Sequence, residues 1–175
     1  TGETIKHFRV GYAPREWGAL TSFLKKERIS DADLAISGMF IEGDRGLYDR
    51  FRGRIMFPVF DYMGIIIGFS GRLYTADGEK ESDKEAKYIN TPETILYHKS
   101  KSFYGLDRAK QAIRETGQAL LVEGQFDVVM SHQSGVTNAV AVSGTAVTSD
   151  HLALLERIAD TLLVVLDSDN AGFVA

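Results

Sequence analysis

The chain has 175 residues, 44% hydrophobic and 25% charged, enough to bury one ordinary core or two small ones and too apolar for a disordered segment. It contains no cysteine, and its four histidines (His7, His98, His132, His151) are scattered, so a disulfide framework and a thiolate zinc site are excluded and any metal must rest on oxygen ligands. The net charge of -4 conceals a split: residues 1–117 carry 19 Lys and Arg against 17 Asp and Glu, while residues 118–175 carry only Arg157 against seven acids, which predicts two domains of opposite character, 1–117 and 118–175.

The opening stretch TGETIKHFRVGYAP lacks the apolar centre of a signal peptide, and nowhere do about 18 apolar residues run together, so a cytoplasmic location is expected. Alternation over Phe8–Tyr12 predicts a short strand. Pro14 suits a helix start, and Trp17, Leu20, Phe23 and Leu24 recur at helical spacing, which predicts a helix with that face in the core. Ser30 followed by Asp33 reads as an N-cap opening a second helix that stops at Gly38.

From Met39 to Tyr74 the pattern turns to strands, with RIMFPVF and IIIGFSGRL flanking the turn signal Asp61-Tyr62-Met63-Gly64, a predicted hairpin. Arg50, Arg52 and Arg54 stand two apart, which on an extended strand sets three guanidinium groups on one face, either solvated or facing phosphate; one of them is a candidate ion-pair partner of Asp49. Residues 75–87 are polar and aperiodic, an expected exposed loop. Gly105 to Gly117 predicts a helix with Leu106, Ala109 and Ile113 inward and a glycine stop.

The last third is the most regular. Apolar runs at 119–122, 138–142 and 161–166 alternate with helical segments at 127–133 and 149–159, the second carrying Leu152, Leu155 and Ile158 on one side. Such a β-α-β-α-β order predicts a parallel sheet covered on both faces, with right-handed crossovers gathering the strand C-termini at one edge, where ligands of such sheets bind. The fold class expected for the whole is therefore α+β: a basic part with a β-hairpin and sheet, then an α/β, Rossmann-like part with a parallel sheet.

Glu123 follows the first of these strands, and Asp167 and Asp169 follow the third. Crowded carboxylates repel one another, and burying them without compensation costs several kcal/mol each. A hard divalent cation removes that penalty, and Mg²⁺ needs only one or two protein carboxylates beside waters and phosphates. Asp167 and Asp169, two apart, point the same way in an extended segment, and Asn170-Ala171-Gly172 permits a sharp turn into a helix whose amides would face phosphate. Taken singly, Asp127 and Asp169 also suit helix capping.

Leu121-Val122-Glu123-Gly124-Gln125-Phe126-Asp127, with Leu166-Asp167-Ser168-Asp169-Asn170-Ala171-Gly172 some way downstream, resembles the Toprim pattern of primases, topoisomerases, recombination mediators and some nucleases. Upstream, Arg50-Phe51-Arg52-Gly53-Arg54-Ile55-Met56-Phe57-Pro58, Gly68-Phe69-Ser70-Gly71-Arg72, Lys87-Tyr88-Ile89-Asn90-Thr91-Pro92-Glu93-Thr94, His98-Lys99 and Tyr104-Gly105-Leu106 resemble, in order, segments of the RNA-polymerase core of bacterial DnaG-type primases, as does the opening with Gly11-Tyr12-Ala13-Pro14. Gly144-Thr145 fits as well. Gln125 stands where that family usually has tyrosine, and Ser168 where it usually has glycine.

The resemblance implies template-directed synthesis of short RNA primers: a primer 3′-hydroxyl attacks the α-phosphate of a nucleoside triphosphate and pyrophosphate leaves, with two divalent ions, Mg²⁺ or Mn²⁺. It implies Asp167 and Asp169 as metal ligands and catalytic acids, Glu123 as a third acid that binds metal or acts in the transfer step, and Asp127 in the same pocket. It implies Arg72, Lys87, Tyr88, Asn90 and Lys99 as holders of the incoming triphosphate, and Arg50, Arg52 and Arg54 as contacts to the template backbone. The implied partners are single-stranded DNA, nucleoside triphosphates, the RNA primer and, through a domain outside this chain, a replicative helicase. A further Asp-x-Asp beyond Ala175 and an upstream zinc-binding domain are implied too, so weak or no activity is expected of this stretch alone. Two other readings stay open: the primase part of a phage or plasmid primase-helicase, and a non-catalytic nucleotide- or nucleic-acid-binding module whose acids cap helices.

Overall fold

The computed structural model describes residues 1–76, 85–144 and 146–166. The chain opens with a helix, α1 (Gly2–Phe8), turns at Arg9 with φ 52°, and enters a short strand, β1 (Gly11–Ala13). The predicted strand over residues 8–12 is thus helix, turn and strand in succession; Phe8 ends α1 buried, and the left-handed Arg9 breaks the alternation. Helices α2 (Ala19–Lys26) and α3 (Asp31–Ile36) follow, the latter capped as expected by Ser30, whose hydroxyl accepts from the Asp33 amide at 3.1 Å.

Then come β2 (Phe40–Gly43), β3 (Gly46–Asp49), β4 (Arg54–Phe60), β5 (Ile66–Leu73), β6 (Tyr88–Asn90), a single 3₁₀ turn (Lys99–Lys101), β7 (Phe103–Tyr104), α4 (Leu106–Thr116), β8 (Gln118–Val122), α5 (Gln125–Gln133), β9 (Ala139–Val142), α6 (Ser149–Leu155) and β10 (Thr161–Val164). Strands β2 and β3 pair as a hairpin, one four-stranded sheet runs β1-β4-β5-β6, and another runs β10-β8-β9-β7. The turn between β4 and β5 falls at the predicted Asp61–Gly64, where the Asp61 carboxylate accepts from the amides of Met63 and Ile65 at 2.9 and 2.8 Å and Gly64 takes φ 86°. Residues 77–84 of the predicted exposed loop lie outside the described residues.

The chain forms two compact units. One gathers Thr1–Phe8, Val59–Ile67 and the described residues from His98 onward; the other comprises Arg9–Pro58 and Gly68–Tyr97. In the first, Phe103, Leu106, Ala109, Ile113, Ala119, Leu121, Val140 and Leu155 make the core, and the inward positions of α4 are those the periodicity predicts, with Gly117 closing the helix at φ 67°. Strands β8, β9 and β10 are parallel, as expected, while β7 joins β9 antiparallel, a two-residue strand with too short a pattern to read in advance. Among the described residues, cover on both faces does not extend to β10: Val164 is 55% exposed and Leu163 and Val165 are exposed too. Among the described residues no helix is long and apolar enough to cross a membrane.

In the second unit α2 departs from its predicted face. Trp17 is 65% exposed and Phe23 is exposed, Leu20 and Leu24 are half-buried, and the residue that goes inside is Thr21. The reason is Asp49: its buried carboxylate accepts from the amides of Leu20 and Thr21 at 2.7 and 2.9 Å and from the Thr21 hydroxyl at 2.6 Å, so the helix turns a polar first turn inward.

Candidate metal and nucleotide site

Glu123 is the first residue beyond β8, exposed at the C-terminal edge of the parallel sheet. The register pairs Thr161 with Gln118 and Val164 with Leu121, and the Val165 amide donates to the Leu121 carbonyl at 2.8 Å. Continued by one residue on each strand from Val165, the same register sets Leu166 beside Glu123. Asp167 is the next residue in sequence; it and Asp169 lie outside the described residues, as does Thr145.

Asp127 sits in the first turn of α5, and its carboxylate accepts from the Gly124 amide at 2.9 Å, so it serves the helix terminus while remaining exposed. Gln125, buried where tyrosine was expected of the resembled family, donates from Nε2 to the Ser143 hydroxyl at 3.3 Å. Ser143 directly follows β9, so this bond ties the first residue of α5 to the end of β9, and Gly144 takes φ 67°. The edge thus offers an exposed carboxylate directly after a central strand of the parallel sheet, a donor suited to a hard divalent cation. Among the described residues no cluster of three His, Cys, Asp or Glu is assembled.

In the second unit the pairing of β5 with β6 matches Arg72 with Tyr88 and Ser70 with Asn90. Opposite partners in an antiparallel pair share a face, and residues two apart on a strand do too, so Arg72, Tyr88 and Asn90 project from one face of the sheet. Lys87, just before β6, is exposed, and its carbonyl accepts from the Leu73 amide at 2.8 Å. Lys99, in the 3₁₀ turn, belongs to the first unit together with Glu123 and Asp127.

The three arginines do not form the expected stripe. Residues 50–53 are not strand, and Gly53 at φ 59° breaks the period of two before β4 begins at Arg54. Arg54 is 6% exposed, and its guanidinium donates to the Gly71 carbonyl at 3.1 Å and the Lys87 carbonyl at 3.3 Å, pinning the ends of β5 and β6. Burial pulls its pKa below the usual arginine range, with Glu85 opposing and Arg52 assisting. Arg52 lies over the Trp17 ring at 4.1 Å and near Tyr48 at 5.3 Å, and donates to the backbone carbonyl of Asp49. Arg50 is half-buried, its Nε without a hydrogen-bond partner among the described residues. The carboxylate of Asp49, a candidate ion-pair partner for these arginines, caps α2 instead.

Two features were not foreseen. The stack of half-buried Arg52 on the exposed Trp17, beside half-buried Tyr48, gives no local signal, since exposed and core aromatics look alike in sequence. The second is a fully buried imidazole, His151, beside the Lys99 turn; its position three residues after Thr148, at the start of a helical pattern, was the only hint.

The profile of the DNA primase catalytic core, N-terminal domain, matches residues 1–110, and that of the Toprim domain matches residues 117–175. The chain belongs to the DNA primase catalytic core family. The primase-core chain is 43% identical over 173 residues to a DNA primase of Streptomyces coelicolor, covering 95% of this chain and 26% of that protein. It is 40% identical over 176 residues to a DNA primase of Deinococcus radiodurans, covering 99% and 30%. It therefore spans less than a third of the length of these primases. Among solved structures, the RNA polymerase domain of Mycobacterium tuberculosis primase DnaG superposes with a TM-score of 0.89 at 38% identity, over 99% of this chain and 57% of that one. A DnaG primase catalytic domain bound to single-stranded DNA superposes with a TM-score of 0.85 at 38% identity, over 100% and 53%.

Proposed function

We propose that this chain is the catalytic part of a bacterial DNA-dependent RNA polymerase that makes short primers by metal-assisted nucleotidyl transfer, acting in the cytoplasm at the replication fork. The observation that carries the proposal is the parallel register of β8 and β10, which sets Glu123 level with the residue preceding Asp167-Ser168-Asp169. Several carboxylates gathered at the C-terminal ends of neighbouring parallel strands suit divalent ions, which relieve their mutual repulsion. Glu123, Asp167 and Asp169 are the residues that would hold Mg²⁺ or Mn²⁺, with Asp127 at the margin because its carboxylate already serves Gly124. Bound there, the ions would supply charge stabilisation for the attacking and leaving oxygens.

Residues of this chain do the remaining work. Arg72, Tyr88 and Asn90 on one sheet face and the neighbouring Lys87 in the second unit, and separately Lys99 in the first, are read as triphosphate contacts, their cations and amides matching phosphate oxygens. Arg52 with Trp17 and Tyr48 offers a cation and ring faces to single-stranded template, and Arg50 adds a second cation. Arg54, with its guanidinium committed to two carbonyls, acts by holding β5 against β6. The labour divides near residue 117, strand and nucleotide binding before it and metal chemistry after it. A primase of this kind meets single-stranded DNA, nucleoside triphosphates, its RNA product and, through sequence outside this chain, a replicative helicase.

The test is binding of a fluorescent nucleoside triphosphate with Mn²⁺. Asp167→Ala, Asp169→Ala and Glu123→Gln should each weaken it at least about tenfold, an effect of roughly 1.4 kcal/mol, while Ser168→Ala leaves it intact. Binding that needs no metal and ignores all three acids would leave a non-catalytic module as the better reading.

A further inference from the structure

His151 is 0% exposed, yet neither ring nitrogen is idle. Its Nδ1 accepts from the Thr148 amide at 3.1 Å, which fixes the proton on Nε2, and Nε2 donates to the Lys99 carbonyl at 3.0 Å and the Ser102 carbonyl at 3.3 Å. The Thr148 hydroxyl donates to the Ser100 carbonyl at 2.7 Å. Three carbonyls of the turn bearing Lys99 are thereby captured by the start of α6. The Phe103 ring, 4.8 Å away, walls the imidazole from water. The charged groups around it are Asp150 and Lys101, which approach each other to 3.8 Å on the surface.

The same helix also belongs to the unit that carries Glu123. Thr148 ends the loop that leaves β9 at Ser143; Ser143 is bonded to Gln125, and Gln125 is two residues from Glu123. Helix α6 is itself seated through Leu155 on the core that holds Ala119 and Leu121 of β8, so the clamp and the strand that ends at Glu123 belong to one packed unit. A turn of three residues has little rigidity of its own, since a 3₁₀ turn closes few backbone bonds. We propose that His151 is a positioning residue for the incoming nucleotide: by gripping the carbonyls of the Lys99 turn it fixes the lysine relative to the Glu123 edge, where the ammonium meets the triphosphate. This rests on the reading of Lys99 as a triphosphate holder.

The experiment measures affinity for GTP and for GMP in Mn²⁺, with circular dichroism to verify folding. His151→Leu should bind GTP about tenfold more weakly and GMP unchanged, as should Lys99→Ala, and the double variant should lose no more than either single one, because both act through one ammonium. His151→Gln, which keeps a donor and an acceptor, should recover GTP affinity to within about threefold of the parent. Should His151→Leu fail to fold, Thr148→Val, which loses the bond to Ser100, stands in and should show the same selective loss. Wild-type GTP affinity in His151→Leu or its stand-in beside a weakened Lys99→Ala overturns the positioning role and leaves the Lys99 reading standing. Wild-type affinity in Lys99→Ala overturns the Lys99 reading itself. Equal loss of GTP and GMP would mean that His151 merely supports the fold.

Discussion

At Asp49, three donors converge on one buried carboxylate, and two of them are orphan amides of the first turn of α2. Asp49→Ala removes the acceptor and strands those donors away from water, a loss of about 2–3 kcal/mol in urea denaturation; a change under about 0.5 kcal/mol would refute the capping role. At His151, burial pulls the imidazole pKa below its ordinary value, against the raising effect of its bonds to Ser102 and Lys99 and of Asp150. The unfolded chain then takes up the proton first as pH falls, so the stability from this group is complete above about pH 7 and declines from about pH 6.5 downward until the folded-state pKa is passed. His151→Gln should flatten that part of the pH dependence in denaturation measured between about pH 7.5 and 5; parallel curves for parent and variant would contradict it. His132, whose pKa is also lowered by burial while its ring bonds the Ala139 carbonyl at 3.0 Å, adds the same sign and remains in both proteins. Asp49 does not announce its role in sequence and His151 does so only through its spacing from Thr148, because Asp49 caps a helix that is remote in sequence and His151 also binds the remote carbonyls of Lys99 and Ser102.

Elements were legible where local chemistry and burial agree. The Ser30 cap, the Asp61–Gly64 turn, α4 with its glycine stop and the three parallel strands all follow from patterns that need no distant partner. The helix at residues 17–24 was legible in type and wrong in face, because a remote carboxylate, not the hydrophobic stripe, decides which side of α2 goes in. The arginine stripe failed for a backbone reason, a left-handed glycine within the run. Phe51 and Arg54 pack close against β5 at Gly71, where an added Cβ would lie 2.7 Å from Phe51 Cδ1 and 3.1 Å from Arg54 Cδ. Gly71→Ala should therefore destabilise the second unit by about 1–3 kcal/mol and, by displacing Arg54 from the Gly71 carbonyl, loosen the face that carries Arg72 and Tyr88. Thermal denaturation checks the first effect and triphosphate affinity the second; an unchanged melting temperature would show that Phe51 yields without cost.

For the whole molecule, charge is split along the chain: Lys and Arg outnumber acids over residues 1–117, and acids outnumber them over residues 118–175. Of the candidate acids, the place of Glu123 at a strand end was legible because strand ends in a β-α-β-α-β run are fixed by topology, while Asp167 and Asp169 lie outside the described residues; the places of the arginines were not legible, since three that are equivalent in sequence take one buried, one stacked and one half-buried place. That difference predicts how single-stranded DNA binding responds to salt. An arginine at a phosphate releases condensed counterions, so Arg52→Ala should lower the slope of log K against log salt by about 0.7 for each phosphate the guanidinium neutralises. Trp17 contributes ring surface, not charge, and Trp17→Ala should cost about 1–3 kcal/mol with the slope largely retained. Arg54→Ala should leave the slope at the parent value because its guanidinium is spent on Gly71 and Lys87 carbonyls. Titrations of oligothymidine between about 50 and 300 mM salt separate the three, and a slope that falls equally for Arg52→Ala and Arg54→Ala would restore the arginines as one phosphate track.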